Sequence, residues 1–148
     1  MLKKQGKNKI SSQTGEDGGT QKIINISTGK FNFQVHLNET KTAEKLIKSL
    51  PVCSKINRWG DEIYFSIPVN ADIENGVEEV DIGTVAFWPP GSAFCIFFGK
   101  TPASSSEKPR AASPVTVVGK IAADNDFAGI IEKLRETKSG QEITVSLL

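Results

Sequence analysis

Histidine occurs once and cysteine twice in these 148 residues. A structural zinc site needs four nitrogen or sulfur ligands, usually in closely spaced pairs. Cys53 and Cys95 lie 42 positions apart and His36 stands alone, so carboxylates would have to complete any tetrahedral shell. No metal and no cofactor are expected. Arginine is scarce as well, limited to Arg58, Arg110 and Arg135. Charge of one sign is lacking, because 18 basic residues face 17 acidic ones and the net charge is +1. So balanced a chain does not steer polyanions, and neither nucleic acid nor a membrane surface is expected as a partner. No apolar run approaches the roughly 20 residues that cross a bilayer. The opening Met1-Leu2-Lys3-Lys4-Gln5-Gly6-Lys7 lacks the apolar stretch of a secretory leader. The expectation is a cytoplasmic protein with two reduced, mostly buried thiols.

Catalytic signatures are missing too. The chain contains no Gly-x-Ser-x-Gly, no GxxxxGK[ST] and no GxGxxG. The acidic residues Asp72, Glu74, Glu78, Glu79 and Asp81 fail as a calcium loop, since Asn75 stands where the turn glycine belongs and Gly76 comes one position late. They are expected to form a solvated loop. His36 falls on the polar side of a strand pattern, and the Ser104-Ser105-Ser106 triplet sits in a Ser/Ala/Pro-rich loop spanning 102–114.

What is present organises the chain into one domain with an extension. Residues 1–21 hold four lysines, four glycines and three glutamines but few sizeable apolar groups. Such a segment cannot offset its ordering entropy and is expected to be a disordered tail. From residue 22 to 148 a single domain is expected, with fourteen basic against fifteen acidic residues. Its dominant period is two. Residues 23–28 and 31–37 alternate on either side of Gly29, and 52–58 pairs with 62–67 across Gly60. Residues 84–88 and 93–98 flank Pro89-Pro90-Gly91-Ser92, and 115–121 and 143–147 complete eight strands.

Two segments have helical period. Ala43, Leu46, Ile47 and Leu50 fall on one face, starting near Thr40 or Thr42 and stopping at Pro51. Phe127, Ile130, Ile131 and Leu134 repeat the spacing, with Asp124 and Asp126 at the positive end and Gly140 closing the helix. Eight strands and two amphipathic helices suggest a sheet closed on itself with a helix at each mouth.

Aromatic density is the most unusual feature. Eight of eleven aromatic residues fall between Trp59 and Phe98. The run Phe94-Cys95-Ile96-Phe97-Phe98 is apolar on both faces, which fits a strand with the core on one side and a second apolar surface on the other. Glu62 and Tyr64 alternate away from Ile63 and Phe65, and Trp88 ends its strand at a rim. Glu62, Tyr64, Trp88, Cys95 and Phe97 are therefore the candidate ligand-binding residues on an outer face. Core packing alone is the competing account of the aromatics.

The blocks Gly60-Asp61-Glu62-Ile63-Tyr64-Phe65, Gly83-Thr84-Val85-Ala86-Phe87-Trp88-Pro89-Pro90-Gly91-Ser92-Ala93, Phe97-Phe98-Gly99-Lys100-Thr101-Pro102 and Ala112-Ser113-Pro114-Val115-Thr116-Val117-Val118-Gly119-Lys120-Ile121 resemble a family of small prokaryotic cyclophilin-like proteins of unknown function. The resemblance spans about residues 22–148. It implies a mainly β fold, a closed eight-stranded cyclophilin-like barrel capped by two α-helices. It also implies comparison with the peptidyl-prolyl isomerases of that fold. Their signature Phe-His-Arg strand corresponds here to Ile63-Tyr64-Phe65-Ser66, without arginine. Their Gly-Ser-Gln-Phe-Phe-Ile is similar to Gly91-Ser92-Ala93-Phe94-Cys95-Ile96, with alanine for the glutamine and cysteine for a groove phenylalanine. The resemblance therefore implies a module that binds a small molecule or peptide without strong isomerase activity; the alternative is a weak or altered prolyl isomerase.

Overall fold

The computed structural model describes residues 22–122 and 126–148. The tail expected at 1–21 and the helix-end role of Asp124 lie outside the described residues. The elements run β1 (Lys22–Thr28), β2 (Phe31–Leu37), α1 (Lys41–Ser49), β3 (Val52–Lys55), β4 (Asn57–Arg58), β5 (Glu62–Ser66), β6 (Val77–Glu79) and β7 (Thr84–Trp88). A 3-10 turn (Pro89–Gly91) follows, then β8 (Ala93–Phe97), β9 (Arg110–Ile121), α2 (Phe127–Arg135) and β10 (Glu142–Leu147).

Among the described residues the fold is mainly β with two helices, and the ten strands form one antiparallel sheet in the order β3-β10-β1-β2-β9-β7-β8-β5-β4, with β6 paired to the start of β9. Eight strands were expected, and two differences account for the change. The expected strand at 52–58 is split at the buried Ile56, whose N–H donates to the Gln141 carbonyl at 2.9 Å. Its first half pairs with β10 and its last two residues with β5. The other addition is β6, in the acidic stretch. Among the described residues hydrogen bonds do not close the sheet, because no ladder joins β3 to β4. One short chain segment instead supplies both end strands.

Alternation explains the main core. Ile24 and Ile26 of β1, Phe33 and Val35 of β2, and Ile143 and Val145 of β10 are buried on one face. They meet Ile63, Phe65, Val85, Phe87, Phe94 and Ile96 from β5, β7 and β8. Phe65 and Phe94 are register partners and stack at 5.2 Å. Thr40 caps α1 by accepting from the Ala43 N–H at 3.1 Å, and Ala43 and Leu46 bury the helix face. Asp126 caps α2 in the same way at Gly129, and Ile131 and Leu134 pack inward. That helix ends at Arg135, with Glu136 as its C-cap, rather than at Gly140. Cys95 is buried but Cys53 is exposed, because Val52 takes the inward position beside it.

The acidic stretch is not a free solvated loop. Glu74 reaches the start of α1, where its carboxylate accepts from the Lys41 and Thr42 N–H groups at 3.0 and 2.8 Å and from the Thr42 hydroxyl at 2.6 Å. These bonds, the Thr42 hydroxyl foremost, hold its carboxyl below the ordinary value of 4.5. A depressed carboxyl adds stability above its unfolded value and loses it as pH falls through the folded one. Glu74→Gln is therefore expected to lower the melting temperature at pH 7. The gap to the parent should narrow between pH 7 and pH 3 as the carboxylate takes up its proton. A gap that persists unchanged in thermal melts at both pH values would rule out an ionic role for Glu74.

Candidate functional site

Where the main core uses one face of β5, β7 and β8, the opposite face carries a second, smaller cluster. Tyr64 lies opposite Cys95, Glu62 opposite Phe97, Ala86 opposite Cys95 and Trp88 opposite Ala93. The period of two puts all of these on the outer side. Val80, Ala111 and Val115 join Ala86, Ala93, Cys95 and Phe97 in this cluster. Strand β9 serves both layers. Its Val118 and Ile121 belong to the main core and its Val115 to the outer cluster. The changeover coincides with a bulge, since Val117 pairs with Ala86 but Gly119 with Val85, leaving Val118 as the extra residue.

A cavity of about 210 Å³ opens in this outer layer, lined by Trp59, Glu62, Tyr64, Trp88, Cys95, Ala111, Ala112 and Val115. Four of the five expected site residues, Glu62, Tyr64, Trp88 and Cys95, come together there. Phe97 does not line it: the ring is fully buried and taken up in packing within the cluster. Sequence reasoning missed Trp59, which belongs to a turn and so to no periodic pattern. It also missed Ala111 and Ala112, because the Ser/Ala/Pro composition of 102–114 hides the start of β9 at Arg110, and Val115, which begins the strand expected at 115–121 but was not assigned to the outer face. Pro114 lies where the β9–β6 register shifts, between Arg110 and Val115, so its missing N–H falls in an interruption of that ladder.

The turn into β5 is firmly set. Trp59 N–H donates to the Glu62 carbonyl at 2.9 Å, and Glu62 N–H returns a bond to the Trp59 carbonyl at 3.2 Å. Gly60 has φ +60°, and a Cβ there would lie 3.0 Å from both the Lys100 carbonyl oxygen and the Thr101 Cα. Only glycine fits that conformation and that space. Trp88 is fixed by its indole N–H, which donates to the Ser113 hydroxyl at 2.7 Å.

Cations are spent elsewhere. Arg58 donates to the Gly60, Arg135 and Thr137 carbonyls, pairs with Asp61 at 3.0 Å and lies over the Phe98 ring. Arg110 pairs with Glu78 at 2.7 Å, and the Lys108 ammonium lies 3.1 Å from Asp81. Glu62 is only 5% exposed and has no salt bridge among the described residues. Burial pushes its carboxyl from 4.5 up to about 7, opposed only in part by the Cys95 thiol. Burial, reinforced by the Glu62 charge, pushes that thiol up in turn, so Cys95 is no thiolate nucleophile. No group of His, Cys, Asp and Glu that could hold a metal occurs among the described residues.

Residues 22–146 match the family model described as cyclophilin-like. The chain belongs to the cyclophilin-like family. A hypothetical protein from Archaeoglobus fulgidus, whose structure was determined in solution, is 35% identical to it with a TM-score of 0.70. The match covers 88% of this chain and 97% of that one. No curated protein matches. The family is thus a prokaryotic cyclophilin-like one of unknown function. Among the described residues no helix is long and apolar enough to cross a membrane.

Proposed function

We propose that this cyclophilin-like domain is a binding module for a small molecule or short peptide, without strong prolyl isomerase activity. One observation carries the reading: both tryptophans and the sole tyrosine of the chain line a single cavity around a buried carboxylate. Aromatic walls supply apolar area, and one or two polar groups set orientation, which is how small-ligand pockets are built. A cytoplasmic setting belongs to the same reading and is supported by the two unpaired thiols.

A weak isomerase is the second reading, favoured by the Tyr64 phenol in the cavity wall. Rotation about X-Pro passes through a twisted amide that a charged donor stabilises best. No arginine lines this cavity. Losing about 3 kcal/mol of transition-state stabilisation costs on the order of a hundredfold in rate. Prolyl isomerisation of a standard peptide is expected at least about a hundredfold below that of an authentic isomerase. A comparable rate, abolished by Tyr64→Phe, would establish the second reading.

The binding reading itself is tested by NMR. Small aromatic and aliphatic solutes and short X-Pro peptides should shift the Trp59 and Trp88 indole resonances. If no member of that panel moves either signal, the reading fails.

A further inference from the structure

We infer that the cavity selects a small organic ammonium ion, held between the Trp59, Tyr64 and Trp88 rings with the Glu62 carboxylate as its counter-ion. The inference rests on the binding-module reading and adds the ligand's charge and class.

The argument begins from an imbalance. Asp61, Glu78 and Asp81 each have a cationic partner, and Glu74 has two backbone donors and a hydroxyl. Glu62 is the most enclosed of these carboxylates, and its surroundings supply no cation among the described residues. A buried carboxylate without a partner is costly, and removing that cost requires a positive charge or a strong donor in the cavity. An anionic ligand would add to the repulsion, and a fully apolar one would leave the carboxylate as it is.

The walls decide which cation. A hard metal ion needs six or more oxygen ligands, or near-octahedral water and carboxylate. The lining offers one carboxylate, one phenol and one thiol, set among two indoles, two alanines and a valine. Aromatic rings instead attract weakly hydrated organic cations through their quadrupoles, most strongly where water is excluded. The volume of about 210 Å³ lies below the roughly 300–1,000 Å³ of pockets for drug-sized molecules. The ligand is therefore small, or is the tip of one side chain.

Both tryptophans line the cavity, so intrinsic tryptophan fluorescence reports on it directly. The full chain is titrated at pH 8 with choline and with 3,3-dimethylbutan-1-ol, its neutral carbon isostere. Choline is expected to bind at least about tenfold more tightly. In Glu62→Gln the preference for choline over the alcohol should shrink to about twofold or less. The unfolding transition of the same variant verifies that it is folded. A short peptide bearing trimethyl-lysine, run in parallel, separates the sources. Tighter peptide binding assigns the ammonium to a side chain, tighter choline binding to a free molecule, and either supports ammonium recognition. Equal affinities for choline and the alcohol, or a preference that survives in Glu62→Gln, would overturn the inference and leave the binding module standing. Absence of any choline response would also overturn it, and the solute panel would then decide the binding reading separately.

Discussion

Glu62→Gln is expected to make the protein more stable at pH 8, by about 3 kcal/mol, and to change little at pH 4.5. The figure follows from the rise of the Glu62 carboxyl from 4.5 to about 7, at about 1.36 kcal/mol per pH unit. Its sign follows from linkage. Between pH 4.5 and 7 the folded protein keeps the Glu62 proton while the unfolded chain has released it. The folded state then binds more protons, so stability falls as pH rises through this window. Above it the loss is complete. Glutamine resembles the protonated acid in shape and stays neutral, so the variant escapes the loss. For a domain of this size about 3 kcal/mol corresponds to a rise of roughly 10 °C in melting temperature. Thermal melts of both proteins at pH 4.5, 6 and 8 check it. Equal melting temperatures at pH 8 would mean that Glu62 finds a cation in the folded chain. Glu74 has the opposite sign and acts below pH 4.5, so these two groups together place greatest stability near pH 4.5. A residue that destabilises the empty protein at neutral pH suits a ligand site better than a structural one.

How much of this was legible in sequence depended on the range of each interaction. The alternation of Ile24, Ile26, Phe33 and Val35 and the helical spacing of Ala43 and Leu46 are local patterns, and the structure follows them. The same local reasoning put Glu62, Tyr64, Trp88 and Cys95 on the outer face and brought them to one cavity. It could not separate cavity wall from packed layer, which is why Phe97 was included. Non-local features escaped. Nothing near residue 56 signals that 52–58 divides its pairing between opposite ends of the sheet. Glu74 acts on a helix start more than thirty residues away. The first residues of β9 are a strand because β6 pairs with them, against their own composition. For Cys53 a local signal did exist: a buried Val52 beside it turns the thiol outward.

The strand that closes over the cavity leads to the other large effect expected, a loss of about 3 kcal/mol in Gly119→Ala. Strand β9 lies between β2 and β7, and Gly119 pairs with Leu37 on one side and Val85 on the other. An added Cβ would fall on the His36 carbonyl oxygen and lie 3.1 Å from the Leu37 Cα and 3.2 Å from the His36 carbonyl carbon. All three obstacles are backbone, so no side-chain rotation relieves them. The β2–β9 ladder must open, and overpacking of this kind costs about 1–3 kcal/mol, at times more. The upper end is expected because the site lies mid-sheet, directly after the Val118 bulge that carries β9 from one layer to the other. Ala111, Ala112 and Val115 hang from the same strand, as does Ser113, which receives the Trp88 indole bond. Tryptophan emission should therefore shift along with a fall of roughly 10 °C in melting temperature. Gly140→Ala supplies the comparison. Its φ of +92° disfavours alanine, yet nothing lies within 4 Å of the added carbon. Backbone strain alone should cost it about 1–2 kcal/mol, with no change in tryptophan emission. If Gly119→Ala melts no lower than Gly140→Ala and leaves the emission unmoved, the close approach of β2 and β9 does not set the position of the cavity wall.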